Sequence, residues 1–410
     1  MSEVEKRYDE YLRRIYKWNV FGLILSWIVW GPFQSMADPY FQLYAYELGA
    51  TPVILGVISF VSTITLGFSR ILGGYVADKY GRKKIVVYMT GLFSFSFLIY
   101  AFAPNWTWLV IAAFLSNVAL LYQPALWSIE ADSTPKELRG KLFSLYHFLP
   151  DIISSFSPLL AIYFISQYTF IPAIRLIYFL CFVSGVTAAT IRGIFLKETL
   201  LRHEVLASKT LKFREAYRTA LSFVKEKLLY VVLVDVTASI ALSMTFLTSI
   251  YSVVFLGVSE IGWGYISSFS RFLALLFLMP FGLLIDKIGR KPILVVSTLS
   301  SLSGCFLLFV APYMAFEPFI LVLVAVSLMS IGNFVYFTAI TTIITDLVPL
   351  ELRGRVNSIE GLIINLVSSI ATLAAGLIYS LIGSNIPYLI ATITMLLAIS
   401  IILLKLRETK

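Results

Sequence analysis

Apolar residues run along this chain in long blocks separated by short polar breaks. Twelve of these blocks are long enough to cross ~30 Å of hydrocarbon at ~1.5 Å per residue. They cover roughly 18–40, 52–77, 84–103, 106–130, 141–166, 171–195, 228–256, 261–285, 292–312, 317–345, 355–383 and 386–405. The pattern predicts an all-α multi-pass membrane protein with both termini on one side. The breaks divide it into a charged N-terminal segment (1–17), a first group of six spans (18–195), a charged linker (196–227) and a second group of six (228–410). Pro150 and Pro158 each remove a backbone donor from the fifth block and predict a kink there. Interleaved Lys, Arg and Glu in the linker predict short helices on the membrane surface. The first seventeen residues have no apolar core and no small-residue cleavage site before Trp18. They predict a short cytoplasmic helix rather than a cleaved signal peptide.

Composition changes the picture little. With 59% hydrophobic and 13% charged side chains over 410 residues, an ordinary soluble protein is excluded. The net charge of +9 would suit nucleic acid, but its placement argues otherwise. Of 32 Lys and Arg, all but Arg70, Arg175 and Arg271 fall in segments on one side, which the positive-inside rule marks as cytoplasmic. Cys181 and Cys305 lie inside apolar blocks and behave as small hydrophobes, so no disulfide or metal site is expected. The two histidines, His147 and His203, are far apart and supply no catalytic cluster. No phosphate-binding loop of the G-x-x-x-x-G-K-[ST] type is present, so energy is expected from a gradient and no cofactor is expected.

Two stretches are written twice. GYVADKYGRKK begins at Gly74 and GLLIDKIGRKP at Gly282, 208 positions later. ADSTPKELRGKLFSL, with Asp132 and Arg139, recurs as TDLVPLELRGRVNSI, with Asp346 and Arg353, 214 positions later. Each copy of the first stretch reads as a tight basic loop between two spans. Asp78 and Asp286 close one helix, Gly81 and Gly289 take a positive φ, and Arg82 and Arg290 stay in water. Gly74 and Gly282 are small enough for a neighbouring helix to approach closely.

The pattern G-x-x-x-D-K-x-G-R-K resembles the signature loop between helices 2 and 3 of the major facilitator superfamily, and in loop signature the drug/proton antiporter-like members most. The resemblance implies two pseudo-symmetric six-helix bundles. It places Asp78 near the start of helix 11 and pairs Arg82 with an acid at the end of helix 4, Asp132 or Glu130. It gives Asp286, Arg290 and Asp346 the same parts against helix 5. With Arg139 and Arg353 these residues make a cytoplasmic gate of contacts worth ~0.3–2 kcal/mol each. Two departures leave the direction of transport open. Helix 4 has no arginine, and helix 5 offers SFSPLLA, with Ser157 and Pro158, in place of a G-P-x-x-G-G motif.

Ionisable residues at membrane depth cost several kcal/mol and are functional candidates by default. Asp151 lies ~15 Å beyond Lys141 and is the foremost candidate for proton coupling, with His147 one turn away. A structural hydrogen bond or a fixed pair with Arg70 is the alternative. Asp235 and Arg70 lie ~12 Å deep, Glu360 is shallower, and Asp38 and Arg271 belong to the outer half. By resemblance, the central cavity is lined by helices 1, 4, 7 and 10, which offer Gln34, Asn117, Tyr122, Gln123, Trp127, Asn333 and Tyr336. Aromatic faces with few charges suit a moderately hydrophobic organic solute. The expected function is secondary active transport by alternating access in the cell membrane, by a monomer, with protons as the coupling ion. Drug-like efflux is one form of it, and sugar or organic-acid proton symport or facilitated passage another. A non-transporting receptor or scaffold is the alternative of another class.

Overall fold

Backbone amides surrounded by hydrocarbon have no water to bond, so a chain this apolar must satisfy them within helices. The computed structural model describes residues 3–134, 142, 146, 150–200, 213–406 and 408. The side chains of 3–15, 213–217 and of 74, 78, 279, 286, 350, 351 and 354 are not described. Among the described residues every regular element is helical, and eleven helices are long and apolar enough to cross a membrane.

In chain order the main helices are α1 (Glu3–Ala37), α2 (Pro52–Tyr80) and α3 (Arg82–Phe102), followed by α4 in two pieces (Trp106–Ala119 and Gln123–Asp132). Then come α5 (Ser157–Gln167), α6 (Phe170–Phe195), α7 (Leu229–Met244), α8 (Glu260–Ile288), α9 (Arg290–Val310), α10 (Pro318–Leu347), α11 (Leu350–Leu381) and α12 (Ile386–Lys405). The fifth block lies partly outside the described residues. Its described part breaks at Phe156 and restarts with Pro158 in the first turn of α5, as the prolines predict.

Two expectations change. The N-terminal segment is not a separate helix but runs unbroken into α1. The linker helix Phe213–Phe223 does not lie free on the membrane surface. Ala220, and Val224 and Leu228 just beyond it, are buried in one core with Val231, Ile340 and Val356. Burying those aliphatic side chains contributes about 1.5–3 kcal/mol each for the larger ones, more than an interfacial position would return.

The chain forms two compact units. One comprises Met1–Asp38 with Thr65–Leu211, and the other Pro39–Ile64 with Lys212–Lys410. Residues 39–64, near the start of the chain, are thus part of the second unit. There α2 meets α11 backbone to backbone: a Cβ on Gly376 would stand 2.4 Å from the Pro52 carbonyl, and one on Gly56 3.1 Å from that of Thr372. The Trp263 indole donates to the Pro39 carbonyl at 2.8 Å and locks the same end.

Candidate functional site

In the second unit α7, α10 and α11 bring three candidates together. The Tyr336 hydroxyl of α10 donates to Asp235 Oδ1 of α7 at 3.1 Å. The Asp235 carboxyl in turn faces that of Glu360 on α11, whose Oε1 is buried without a partner. Two carboxyls bond each other only through a proton. Asn333, one turn before Tyr336, accepts from the Ser301 hydroxyl at 3.1 Å.

The first unit holds a different cluster. Arg70 Nε on α2 donates to Gln123 Oε1 on α4 at 3.1 Å, and its guanidinium lies 6.0 Å from the Trp127 ring centroid. Trp127 is 49% exposed.

At the two repeated loops, Gly81 has φ 97° and Gly289 φ 107°, which a side chain would strain. Each starts a helix whose first amides bind a carboxylate. Glu198 accepts from the Lys83 amide at 3.0 Å, and Glu408 from the Arg290 amide at 2.6 Å. A Cβ on Gly289 would stand 2.7 Å from the Glu408 carboxyl carbon. Glu198 and Glu408 stand in Lys197-Glu198-Thr199 and Arg407-Glu408-Thr409, 210 positions apart, a third repeat that the sequence reading passed over. Replacing either glutamate by alanine is expected to lower stability by ~1 kcal/mol, measured as a fall in Tm of the purified protein. Beside these caps Arg82 pairs with Asp132, and Arg290 Nε lies 3.2 Å from Asp346 Oδ2.

The Major Facilitator Superfamily model matches residues 20–272 and again 229–410, so both halves carry the pattern. The chain belongs to the Major Facilitator Superfamily. It is 26% identical over 209 residues to the "Uncharacterized MFS-type transporter YqjV" of Bacillus subtilis (strain 168), covering 50% of this chain and 48% of that one. It is 31% identical over 144 residues to a "Na(+), Li(+), K(+)/H(+) antiporter" of Planococcus maritimus, covering 33% of each. The chain therefore spans about half, or less, of the length of these curated relatives. In fold it is similar to a solved D-xylose-proton symporter, with a TM-score of 0.73 at 18% identity over 97% of this chain and 98% of that one.

Within this superfamily member the other candidates fall as follows. Of the two acids offered to Arg82, Asp132 takes it, while Glu130 is 2% exposed and turned into the core. Tyr122 is 1% exposed and packed beneath Arg192. A Cβ on Gly282 would meet no described atom within 4 Å. Asn117 bonds back to the Ala113 carbonyl of its own helix at 2.8 Å. Arg353 Nη2 donates to the Thr345 carbonyl at 2.8 Å. Gln34 and Asp151 are half-buried, and Asp38 is exposed at the end of α1 near Tyr100. Arg139 and His147, and the side chains at Gly74, Asp78 and Asp286, lie outside the described residues.

Sequence reasoning missed Arg192. It was counted with the basic inner flanks, yet it contributes no surface at all. The available signal was its position before the last residues of α6, Gly193, Ile194 and Phe195, inside the helix rather than after it.

Proposed function

We propose that this chain is a secondary active transporter that moves a small, moderately hydrophobic organic solute across the cell membrane by alternating access, with protons as the coupling ion. The observation that carries this reading is the meeting of Asp235, Tyr336 and Glu360, two carboxyls and a hydroxyl from three helices of a superfamily bundle. Within a membrane such a cluster exchanges a proton when one face opens to water. Six-helix bundles 18–195 and 228–410 rock about the solute, with both termini cytoplasmic and the linker between them. Arg70, Gln123 and Trp127 offer the solute a cationic edge and an aromatic face. The pairs Arg82–Asp132 and Arg290–Asp346 belong to the inner gate together with Asp78 and Asp286. The close approach of Gly376 to Pro52 supports α2 against α11 as the outer seal. Likeness to a monovalent cation/proton antiporter over a third of the chain adds weight to proton coupling.

The test is reconstitution in liposomes under an imposed pH gradient, with a solute library and monovalent cations offered on either side. Saturable movement driven by the gradient is expected. Movement of no solute under a gradient of either sign overturns the reading. Movement indifferent to pH overturns its coupling.

A further inference from the structure

Glycine weakens a helix, and in a membrane bundle it usually serves by letting a neighbouring helix come close. Between α3 and α6 one glycine does so. A Cβ on Gly185 would collide with the Ser94 hydroxyl. Two turns on, Arg192, set among the rings of Trp27, Trp30 and Tyr122, joins the same helices by donating through Nη1 to Thr90 Oγ1 at 2.8 Å. Two further glycines on this pair are not needed for packing. A Cβ on Gly91 would meet no described atom within 4 Å, and one on Gly193 would stand at an ordinary 3.7 Å from Val87 Cγ1.

What these two glycines leave is a hollow of about 650 Å³, with Tyr88, Gly91 and Phe95 of α3 on one wall and Ala189, Gly193 and Ile194 of α6 on the other. Tyr88, Phe95 and Ile194 are 70%, 53% and 62% exposed, so the hollow opens on the outside of the first unit. Its lining presents carbon, because the one hydroxyl deeper within it, that of Thr190, donates to the Val186 carbonyl at 2.9 Å.

Charge gathers at one end of the hollow. Lys84 stands one turn before Tyr88 on the same face of α3, and Lys197 follows three residues after Ile194; both are exposed. The Lys83 amide donates to Glu198 at 3.0 Å, which brings the chain around Lys84 and Lys197 together. The acids at this junction are engaged, Glu198 by the amides of Lys83, Thr199 and Leu200, and Asp132 by Arg82. Among the described residues no ion pair or hydrogen bond takes the ammonium of Lys84 or Lys197. Phe95 lies eleven residues beyond Lys84, ~16 Å at ~1.5 Å per residue and about half of a ~30 Å hydrocarbon core. The result is a cationic head above an apolar slot one leaflet deep.

We propose that this groove is a binding site for one anionic phospholipid, its phosphate held by Lys84 and Lys197 and one acyl chain laid over Gly91 and Gly193. The Tyr88 ring stands between head and chain, where amphipathic aromatic rings settle in a bilayer. Unpaired ammonium groups favour an anionic headgroup over a zwitterionic one, and the slot favours a lipid over a soluble phosphate. A second copy of this chain would set like charges against like. The site stands whether or not the chain transports a solute.

The experiment is native mass spectrometry of the whole chain, purified in detergent and titrated with phosphatidylglycerol or with phosphatidylcholine of the same acyl chains. Retention of one phosphatidylglycerol per chain is expected, about tenfold to thirtyfold tighter than phosphatidylcholine for two lysines at the membrane surface. Lys84→Gln combined with Lys197→Gln should erase that preference, and the corresponding arginine pair should keep it. Gly91→Leu should fill the slot and lower retention by about tenfold or more, with Tm in lipid-free detergent no lower than that of the wild type. Gly193→Leu serves if that variant does not fold. Equal retention of the two lipids overturns the proposal, as does a preference that survives the glutamine pair or retention untouched by both leucine variants. A dimer that is lost in Gly91→Leu gives the groove to a second copy and overturns it too.

Discussion

Asp235→Asn is expected to abolish accumulation driven by a pH gradient, lowering the coupled rate by about 100-fold or more. The asparagine keeps the shape and can still accept from the Tyr336 hydroxyl, but it has no proton to exchange with Glu360. Glu360→Gln should do the same from the other side of the pair. Tyr336→Phe, which removes one hydrogen bond and no titratable group, should cost far less, on the order of tenfold for a bond worth ~1 kcal/mol. Counterflow of labelled solute without a gradient separates loss of coupling from loss of binding. Asp151→Asn is the discriminating comparison. If it alone removes the pH dependence while Asp235→Asn does not, the coupling site lies in the fifth span.

Gly376→Leu is expected to cut transport by about tenfold or more. Even the first carbon of a side chain there would stand 2.4 Å from the Pro52 carbonyl, an atom of backbone that cannot rotate away. Overpacking of this kind costs typically ~1–3 kcal/mol, enough to shift a two-state equilibrium by one to two orders of magnitude. The state with α2 pressed on α11 should therefore be disfavoured rather than the fold lost. A cysteine introduced at Thr372, 6% exposed here, should react faster with a membrane-impermeant reagent in the Gly376→Leu background. The native Cys181 and Cys305 are both fully buried and contribute little signal. Equal labelling and unchanged transport would show that this contact is not the outer seal.

The fold was legible because a bilayer imposes one rule per span. Length and apolarity alone marked the helices, and the paired GRK and ELRG loops marked the duplication. The kink before Pro158 was legible for the same reason, since proline acts through its own backbone. The sites were legible only in part. Asp235, Tyr336 and Glu360 were each singled out by type and depth, but no periodicity links positions 235, 336 and 360. Tyr122 and Gln123 are adjacent in sequence and part company in space, one beneath Arg192 and the other on Arg70.

By itself the sequence determined the long apolar helices, the doubled plan, the basic loops and the positive-φ glycines, because each depends on a residue's own chemistry or on near neighbours. Tertiary structure alone decided which acid Arg82 takes, that Glu198 and Glu408 cap the helices after those glycines, and that Arg192 is sealed among aromatic rings. Those outcomes depend on which faces of distant helices meet, and a helix's sequence specifies its faces without naming the partner that will cover them.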